Sequence, residues 1–221
     1  MFKIALDGPS GSGKSVMARA VAERLDFLYV DTGALYRAIG LYMFRNGIDI
    51  NDAEAVSSNL SNIKLELSHS EEGQVVLLNG ENVNKDIRLP EISMYASKVS
   101  AIPSVRDFLL NIQRETAKKN NVIMDGRDIG TVIFPDAQVK IFLFAKDEVR
   151  AMRRYKELVA KGIETTYEEV LSDMQKRDEN DRTRAIAPAV PAEDAIMLDS
   201  SDLNIEETIS TIIGIIDKKL K

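Results

Sequence analysis

The chain has 221 residues, 44% hydrophobic and 29% charged, with 29 basic and 35 acidic side chains for a net charge of −6. That suits one domain, or one domain with a sizeable insertion, and it lacks the basic surplus of proteins that wrap a nucleic acid polymer; an anion site has to be a local cluster of Arg and Lys. Cysteine is absent, which excludes disulfides, thiolate catalysis and Cys-based zinc sites, and the apolar start ends at Asp7, too short for a signal segment or a membrane span. A cytoplasmic protein with no membrane contact is the expectation.

Residues 2–6 read as a short buried strand, followed by a Gly/Ser-rich turn and a helix over about 15–25. A second strand over 27–30 runs into Asp31, and a helix from about Ala34 is stopped at Gly47. This β-α-β-α opening predicts a mainly parallel sheet covered by helices.

The rhythm changes near Asn62. Residues 63–67 alternate strictly, 74–78 form another strand, and Asn79-Gly80 signals a tight turn after which 81–83 can pair back. A small antiparallel sheet is predicted, then a helix opened by Pro90 and ended by Pro103. Residues 60–103 are therefore read as an inserted lobe, with 1–59 and 104–221 as the core.

The α/β pattern then resumes. Ser104 with Asp107 resembles a helix-capping pair for a helix to about Lys119. Residues 122–124 form a buried strand running into Asp125-Gly126-Arg127-Asp128, and 139–144 form the next. A helix over about 147–161 carries Arg150, Arg153 and Arg154 and ends at Gly162. Thr166 with Glu169 caps a helix to about Asn180; residues 195–198 are the last strand; Asn204 with Glu207 caps a final helix whose Ile205, Ile209, Ile212, Ile213, Ile216 and Leu220 form one apolar stripe. The eight methionines read as core filler, Tyr36 and Tyr42 as packing residues, and the single histidine, His69, as a surface residue by a hairpin turn.

Gly8-Pro9-Ser10-Gly11-Ser12-Gly13-Lys14-Ser15 fits G-x-x-x-x-G-K-[ST] at every fixed position. The glycines let the backbone turn its N–H groups inward toward phosphate oxygens, and the following helix adds the positive end of its dipole. Lys14 is placed to reach the β- and γ-phosphates and Ser15 to hold a magnesium ion. The expected fold is thus an α/β P-loop NTPase. No Asn-Lys-x-Asp guanine reader and no Asp-x-x-Gly switch motif occur, and the chain is short for a motor. A small-molecule kinase stands in front.

If the acceptor is itself a phosphate, two polyanions have to be brought together, which calls for several arginines. The candidates are Arg37, Arg127, and Arg177, Arg182 and Arg184 in the run Arg177-Asp178-Glu179-Asn180-Asp181-Arg182-Thr183-Arg184. Asp31-Thr32-Gly33 and the segment from Asp125 to Asp128 leave strand ends, where ligands sit in such sheets. For Arg37 and the Arg177 to Arg184 run, a solvated, salt-bridged helix face explains the same pattern equally well.

Gly8 to Ser15, then Asp31-Thr32-Gly33-Ala34-Leu35-Tyr36-Arg37, then Asp125-Gly126-Arg127-Asp128-Ile129-Gly130-Thr131-Val132-Ile133-Phe134-Pro135-Asp136-Ala137, then the Arg177 to Arg184 run followed by Ala185-Ile186-Ala187-Pro188, closely resemble bacterial cytidylate kinases, in order over essentially the whole chain. The resemblance implies transfer of the γ-phosphoryl group of ATP, with Mg2+, to CMP or dCMP, and an enlarged nucleoside-monophosphate lobe at 60–103. It implies that Gly8, Pro9, Ser10, Gly11, Ser12, Gly13, Lys14, Ser15 and Val16 bind ATP, with Arg153 and Arg154 near a lid at about 158–168. Arg37, Arg127 and Arg184 would grip the CMP phosphate; Arg177 and Asp181 the sugar; Ser97, Arg106 and Asp128 the cytosine; Asp31 and Thr32 belong to the same substrate set. Thr32 stands where some family members carry Ser, keeping the hydroxyl.

The base assignment has its own chemistry. Cytosine offers an amino donor at N4, which a carboxylate at Asp128 accepts; uracil presents a carbonyl there and leaves both groups unpaired. In-line transfer without a covalent intermediate is expected, because a phosphomonoester is largely dianionic at neutral pH and needs no general base. The rival readings are a kinase for another small acceptor, a nucleotide-dependent binding module without acceptor turnover, and a nucleic-acid-binding NTPase, which the acidic balance disfavours. No sustained heptad or isolated apolar segment asks for a partner, so a monomer is expected.

Overall fold

A computed structural model of the chain describes residues 1–70 and 73–220. Its elements, in chain order, are β1 (Lys3–Asp7), α1 (Lys14–Leu25), β2 (Leu28–Asp31), α2 (Thr32–Arg45), α3 (Ala53–Asn59), β3 (Leu65–Ser70), β4 (Gly73–Leu78), β5 (Glu81–Asn82), α4 (Pro90–Val99), α5 (Pro103–Thr116), β6 (Val122–Gly126), β7 (Val139–Phe144), α6 (Asp147–Ala160), α7 (Tyr167–Thr183), β8 (Ile196–Asp199) and α8 (Ile205–Leu220). One sheet has the order β2-β6-β1-β7-β8, and a second has the order β3-β4-β5. By packing, the described chain forms two compact units, residues 29–120 with Met1, and residues 2–28 with 121–221.

In the second unit, β1 pairs in parallel with both β6 and β7, and β7 in parallel with β8. Ile4, Ala5, Leu6, Ile123, Met124 and Leu143 are fully buried. A strand flanked on both sides and covered on both faces reads as a continuous apolar run, which is why β1 and β6 lack alternation. Helix α1 packs on β6 and on α8. The apolar stripe of α8 is buried only in its middle: Ile209, Ile212 and Ile216 are at most 2% exposed, whereas Ile205 and Leu220 are 57% and 47% exposed. Two of the three capping pairs read from the sequence form. Thr166 and Glu169 exchange backbone-to-side-chain bonds of 3.2 and 2.8 Å, and Asn204 and Glu207 do so at 3.0 and 2.8 Å.

In the first unit, α2, α4 and α5 share one apolar core with the β3-β4-β5 sheet, including Leu35, Ile39, Val76, Leu78, Ile92 and Leu109. β3 and β4 pair antiparallel from Leu65↔Leu78 to Ser70↔Gly73. Asn79 and Gly80 both take positive φ, 51° and 85°, as the tight hairpin turn requires. His69 is exposed, its Nε2 lying 3.2 Å from the Tyr29 carbonyl oxygen.

Four sequence readings are corrected. Ser104 does not cap α5: the helix starts one residue earlier at Pro103, Ile102 is the N-cap, and no side chain bonds there. Proline at the first helical position has no N–H to lose, so Pro103 opens α5 and does not close α4, which ends at Val99. The sequence reading missed α3, whose N-cap Asp52 accepts from Glu54 and Ala55 at 3.0 Å. Of the methionines, Met17, Met43, Met124 and Met174 are buried, but Met1, Met94, Met152 and Met197 are 39–68% exposed and fill no core.

Candidate active site

The phosphate loop leaves β1 after Asp7 and enters α1 at Lys14. Gly8 has φ +150°, and a Cβ there would come within 2.0 Å of the Leu143 carbonyl oxygen, so the turn out of β1 tolerates only glycine. Gly13, the N-cap of α1, is left-handed with φ 86° and offers no side chain to the helix end. The first N–H groups of α1 are thereby left to an external anion.

Lys14 is 6% exposed and curls back onto its own loop, donating to the Pro9 carbonyl at 2.7 Å and lying 3.3 Å from Ser12 Oγ. Burial, then the Arg127 guanidinium, hold its ammonium well below the usual lysine range, against the opposing charges of Asp125, Asp7 and Asp178. The Ser15 hydroxyl donates to Asp125 Oδ2 at 2.6 Å. Two hard oxygen donors at the loop and at the end of the adjacent strand fit a magnesium ion. Asp125, which the sequence reading left outside the metal set, joins Ser15 here; its signal was a carboxylate ending a buried strand.

Asp7, at the end of β1, is 4% exposed, and its two oxygens accept the N–H groups of Ile129 and Gly130 at 2.8 and 2.7 Å. Those residues open a π-helical turn over Ile129–Ile133, closed by Phe134 N donating to the Ile129 carbonyl at 2.7 Å. Asp7 thus supplies the N-terminal acceptors that this turn lacks locally, and sets the backbone immediately after Arg127 and Asp128. Burial pushes the Asp7 carboxyl up to about 6; the two N–H bonds and Lys14 oppose the rise, and the charge of Asp128 adds to it.

Arg127 donates through Nε to Asp181 Oδ2 at 3.0 Å and through Nη1 to the Gly126 carbonyl at 3.3 Å, which fixes the plane of its guanidinium. Arg184 lies 3.7 Å from Asp128 and 3.9 Å from Asp181, and all three side chains are at most 9% exposed. Arg177 is half-buried, whereas Arg182 pairs bidentately with Glu179 in solvent, 63% exposed. The Arg177 to Arg184 run therefore divides: Arg182 belongs to a solvated helix face, and Asp181 and Arg184 join the Arg127–Asp128 cluster. Arg153 donates to the Ser200 carbonyl at 2.8 Å, Arg154 pairs with Glu157 at 2.8 Å, and Val16 is 55% exposed.

The remaining candidates lie in the 29–120 unit. Asp31 caps α2, accepting from Ala34 at 3.0 Å, and pairs with Arg37 at 2.8 Å. The Asp31 peptide is itself held by Gln74, which accepts its N–H at 2.9 Å and donates to its carbonyl at 3.1 Å. Arg37 Nε is buried without a hydrogen-bond partner among the described residues. Thr32 is 3% exposed. Arg106, 7% exposed, donates to the Ser100 carbonyl at 3.0 Å and stands 5.6 Å over the Tyr36 ring; Ser100 in turn donates to the Ser97 carbonyl at 2.7 Å. Gln74 and Asp178 were not among the sequence candidates; their partners are 43 and 168 residues away, a distance at which no spacing rule operates.

Comparison with known proteins gives one family. A family model described as cytidylate kinase matches residues 4–218. A protein named cytidylate kinase from Carboxydothermus hydrogenoformans is 47% identical over 218 residues, covering 99% of this chain and 98% of the relative. Another of that name from Thermosipho melanesiensis is 46% identical over 219 residues, covering 99% and 98%. Among solved structures, an uncharacterized protein from Eubacterium ventriosum matches with a TM-score of 0.50 at 15% identity over 98% of this chain and 99% of that one, a likeness of fold alone.

Proposed function

The chain belongs to the cytidylate kinase family, nucleoside monophosphate kinases that take their phosphoryl group from ATP, and on that premise we propose that it phosphorylates CMP and dCMP with MgATP, giving CDP or dCDP and ADP. The observation that carries this reading is the pairing, in one compact unit, of a phosphate loop with a buried Lys14 and a cluster of half-buried Arg127 with the buried side chains of Asp128, Asp181 and Arg184. One is suited to a triphosphate, the other to a phosphate with a polar base.

In this proposal, residues 8–16 take the ATP phosphates, with Arg153 and Arg154 beside a lid at about 158–168. Ser15 and Asp125 hold Mg2+, which supplies charge neutralisation on the transferred group. Among the described residues no cluster of three or more His, Cys, Asp or Glu side chains is arranged for a metal; Ser15 and Asp125 are the side chains that would hold the ion. Residues 60–103 serve as the nucleoside-monophosphate lobe. Arg37, Arg127 and Arg184 bind the CMP phosphate, Arg177 and Asp181 the sugar, and Ser97, Arg106 and Asp128 the cytosine; Asp31, paired with Arg37, and Thr32 belong to the same substrate set. The phosphate oxygen of CMP attacks the γ-phosphorus in line, and the protein contributes positioning and charge. A triphosphate beside Lys14 adds negative charge to that of Asp125, Asp7 and Asp178 and offsets the burial of the ammonium.

No helix among the described residues is long and apolar enough to cross a membrane. A cytoplasmic, monomeric enzyme that needs no nucleic acid polymer completes the reading. The test is ADP release from MgATP with CMP, dCMP, UMP, AMP or no acceptor, for the wild type and Asp128→Ala. Turnover with CMP and dCMP alone, relaxed or lost in the variant, is the expected result. Turnover with another nucleotide moves the substrate, and turnover with none leaves a nucleotide-binding module.

A further inference from the structure

Helix α7 makes a contact that the reaction above does not use. Asp178 Oδ1 accepts the Ser10 N–H at 2.8 Å. Its Oδ2 accepts from Arg150 Nη1 at 2.5 Å, and the same Nη1 donates to the Ser10 carbonyl at 2.6 Å. The Ser10 peptide is therefore gripped at both polar ends, and the two gripping groups are paired with each other. Arg150 is 3% exposed and is fixed in turn by the Ala145 carbonyl at 3.0 Å and by Asp147. Charge-assisted bonds in so enclosed a place are strong and directional.

Two neighbouring contacts extend the link. A Cβ on Gly11 would come within 2.6 Å of Met174 Cε, and Met174 lies one turn before Asp178 on α7. One turn after it, Asp181 accepts from Arg127 at 3.0 Å. Successive turns of one helix thus hold the phosphate loop and the arginine of the acceptor cluster. Asp178 also faces Lys14, and its charge opposes the downward push that burial and Arg127 exert on the Lys14 ammonium.

We infer that Asp178 is a positioning residue that couples donor binding to acceptor binding by tying the Ser10 peptide of the phosphate loop to α7. The inference rests on the assignment of CMP to Arg127, Asp181 and Arg184. An acceptor phosphate that engages those groups orders α7, and through Asp178 and Arg150 the ordered helix holds the loop in the shape that receives a triphosphate. The second ligand then meets a segment whose freedom has already been lost, which makes the effect cooperative and, by linkage, equal in both directions.

The experiment is calorimetric titration with AMP-PNP and Mg2+, with and without saturating CMP, for the wild type, Asp178→Ala and Asp178→Asn, with Tm and CMP turnover measured for each. In the wild type, CMP is expected to tighten AMP-PNP by roughly 5-fold or more, the usual range for coupled sites. Asp178→Ala is expected to bring that factor close to one while retaining binding of each ligand alone. Asp178→Asn, which keeps an acceptor for the Ser10 N–H but loses the charge facing Arg150, is expected to fall between, and it carries the test if the alanine variant does not fold. A lowered Tm with an unchanged coupling factor would reduce Asp178 to a stabilising contact and overturn the inference. So would a wild type that turns over CMP but shows no coupling. A wild type that neither binds nor phosphorylates CMP instead removes the functional assignment on which the inference stands.

Discussion

The Ser15 hydroxyl donates to the Asp125 carboxylate across 2.6 Å, joining the first turn of α1 to the end of the neighbouring strand β6. Replacing Asp125 by Asn keeps the shape and removes the charge a hard cation needs. The Mg2+ concentration for half-maximal turnover is expected to rise about 10–100-fold in Asp125→Asn, with Tm little changed. An unaltered Mg2+ titration would place the ion elsewhere.

Lys14 makes a proton-linked prediction. Its ammonium is held well below the usual lysine range by burial and by Arg127. A bound triphosphate adds negative charge beside it and raises that value, so binding takes up protons at pH values between the free and the bound value. Calorimetry of MgATP binding in buffers of different ionisation enthalpy measures the uptake directly. Lys14→Met is expected to abolish it and to lower kcat by roughly 100–1,000-fold without unfolding the chain. Equal uptake in the variant, or proton release, would contradict the assignment.

Arg127 has its Nε on Asp181 and its Nη1 on the Gly126 carbonyl, so its remaining donors point in a set direction. Arg127→Lys keeps one positive charge but loses the planar fork. The KM for CMP is expected to rise about 10–100-fold, while the KM for MgATP changes much less. A rise confined to MgATP would assign Arg127 to the donor.

Asp7 governs stability against pH with an unusual sign. Its folded value, about 6, lies above the ordinary 3.8, so the folded state binds this proton more tightly than the unfolded chain does. The stabilisation linked to Asp7 is fully present below about pH 4 and is lost as pH rises through 6. In denaturant titrations, the wild-type stability relative to Asp7→Asn is expected to fall by up to about 3 kcal/mol between pH 4 and 7. A difference that stays flat or grows would show that the two N–H bonds from Ile129 and Gly130 outweigh burial.

Much of this molecule was legible without coordinates. The phosphate loop, the Thr166–Glu169 and Asn204–Glu207 capping boxes and the Asn79-Gly80 hairpin are local patterns whose physics acts over a few residues, and each formed where the residues placed it, whereas the Ser104–Asp107 pair did not cap. Pro103 was misread because proline both ends and starts helices, and only the packing of α5 decides which. The π-turn at Ile129–Ile133 carries no local signature, since its N-terminal acceptor, Asp7, stands 122 residues away.

The sequence by itself therefore determined most of the elements, the Asn79-Gly80 turn and the motif that holds phosphate, because hydrophobic period, backbone freedom and helix-end hydrogen bonding are properties of neighbouring residues. The tertiary structure alone decided which charges work together. Arg182 and Arg184 look alike in the chain, yet one sits in solvent on Glu179 and the other is buried near Asp128 and Asp181. Asp178 and Arg150, which nothing in the chain sets apart from the other charges of their helices, close on the Ser10 peptide. Electrostatics depends on distance and burial, and both are set only when segments far apart in sequence are packed together.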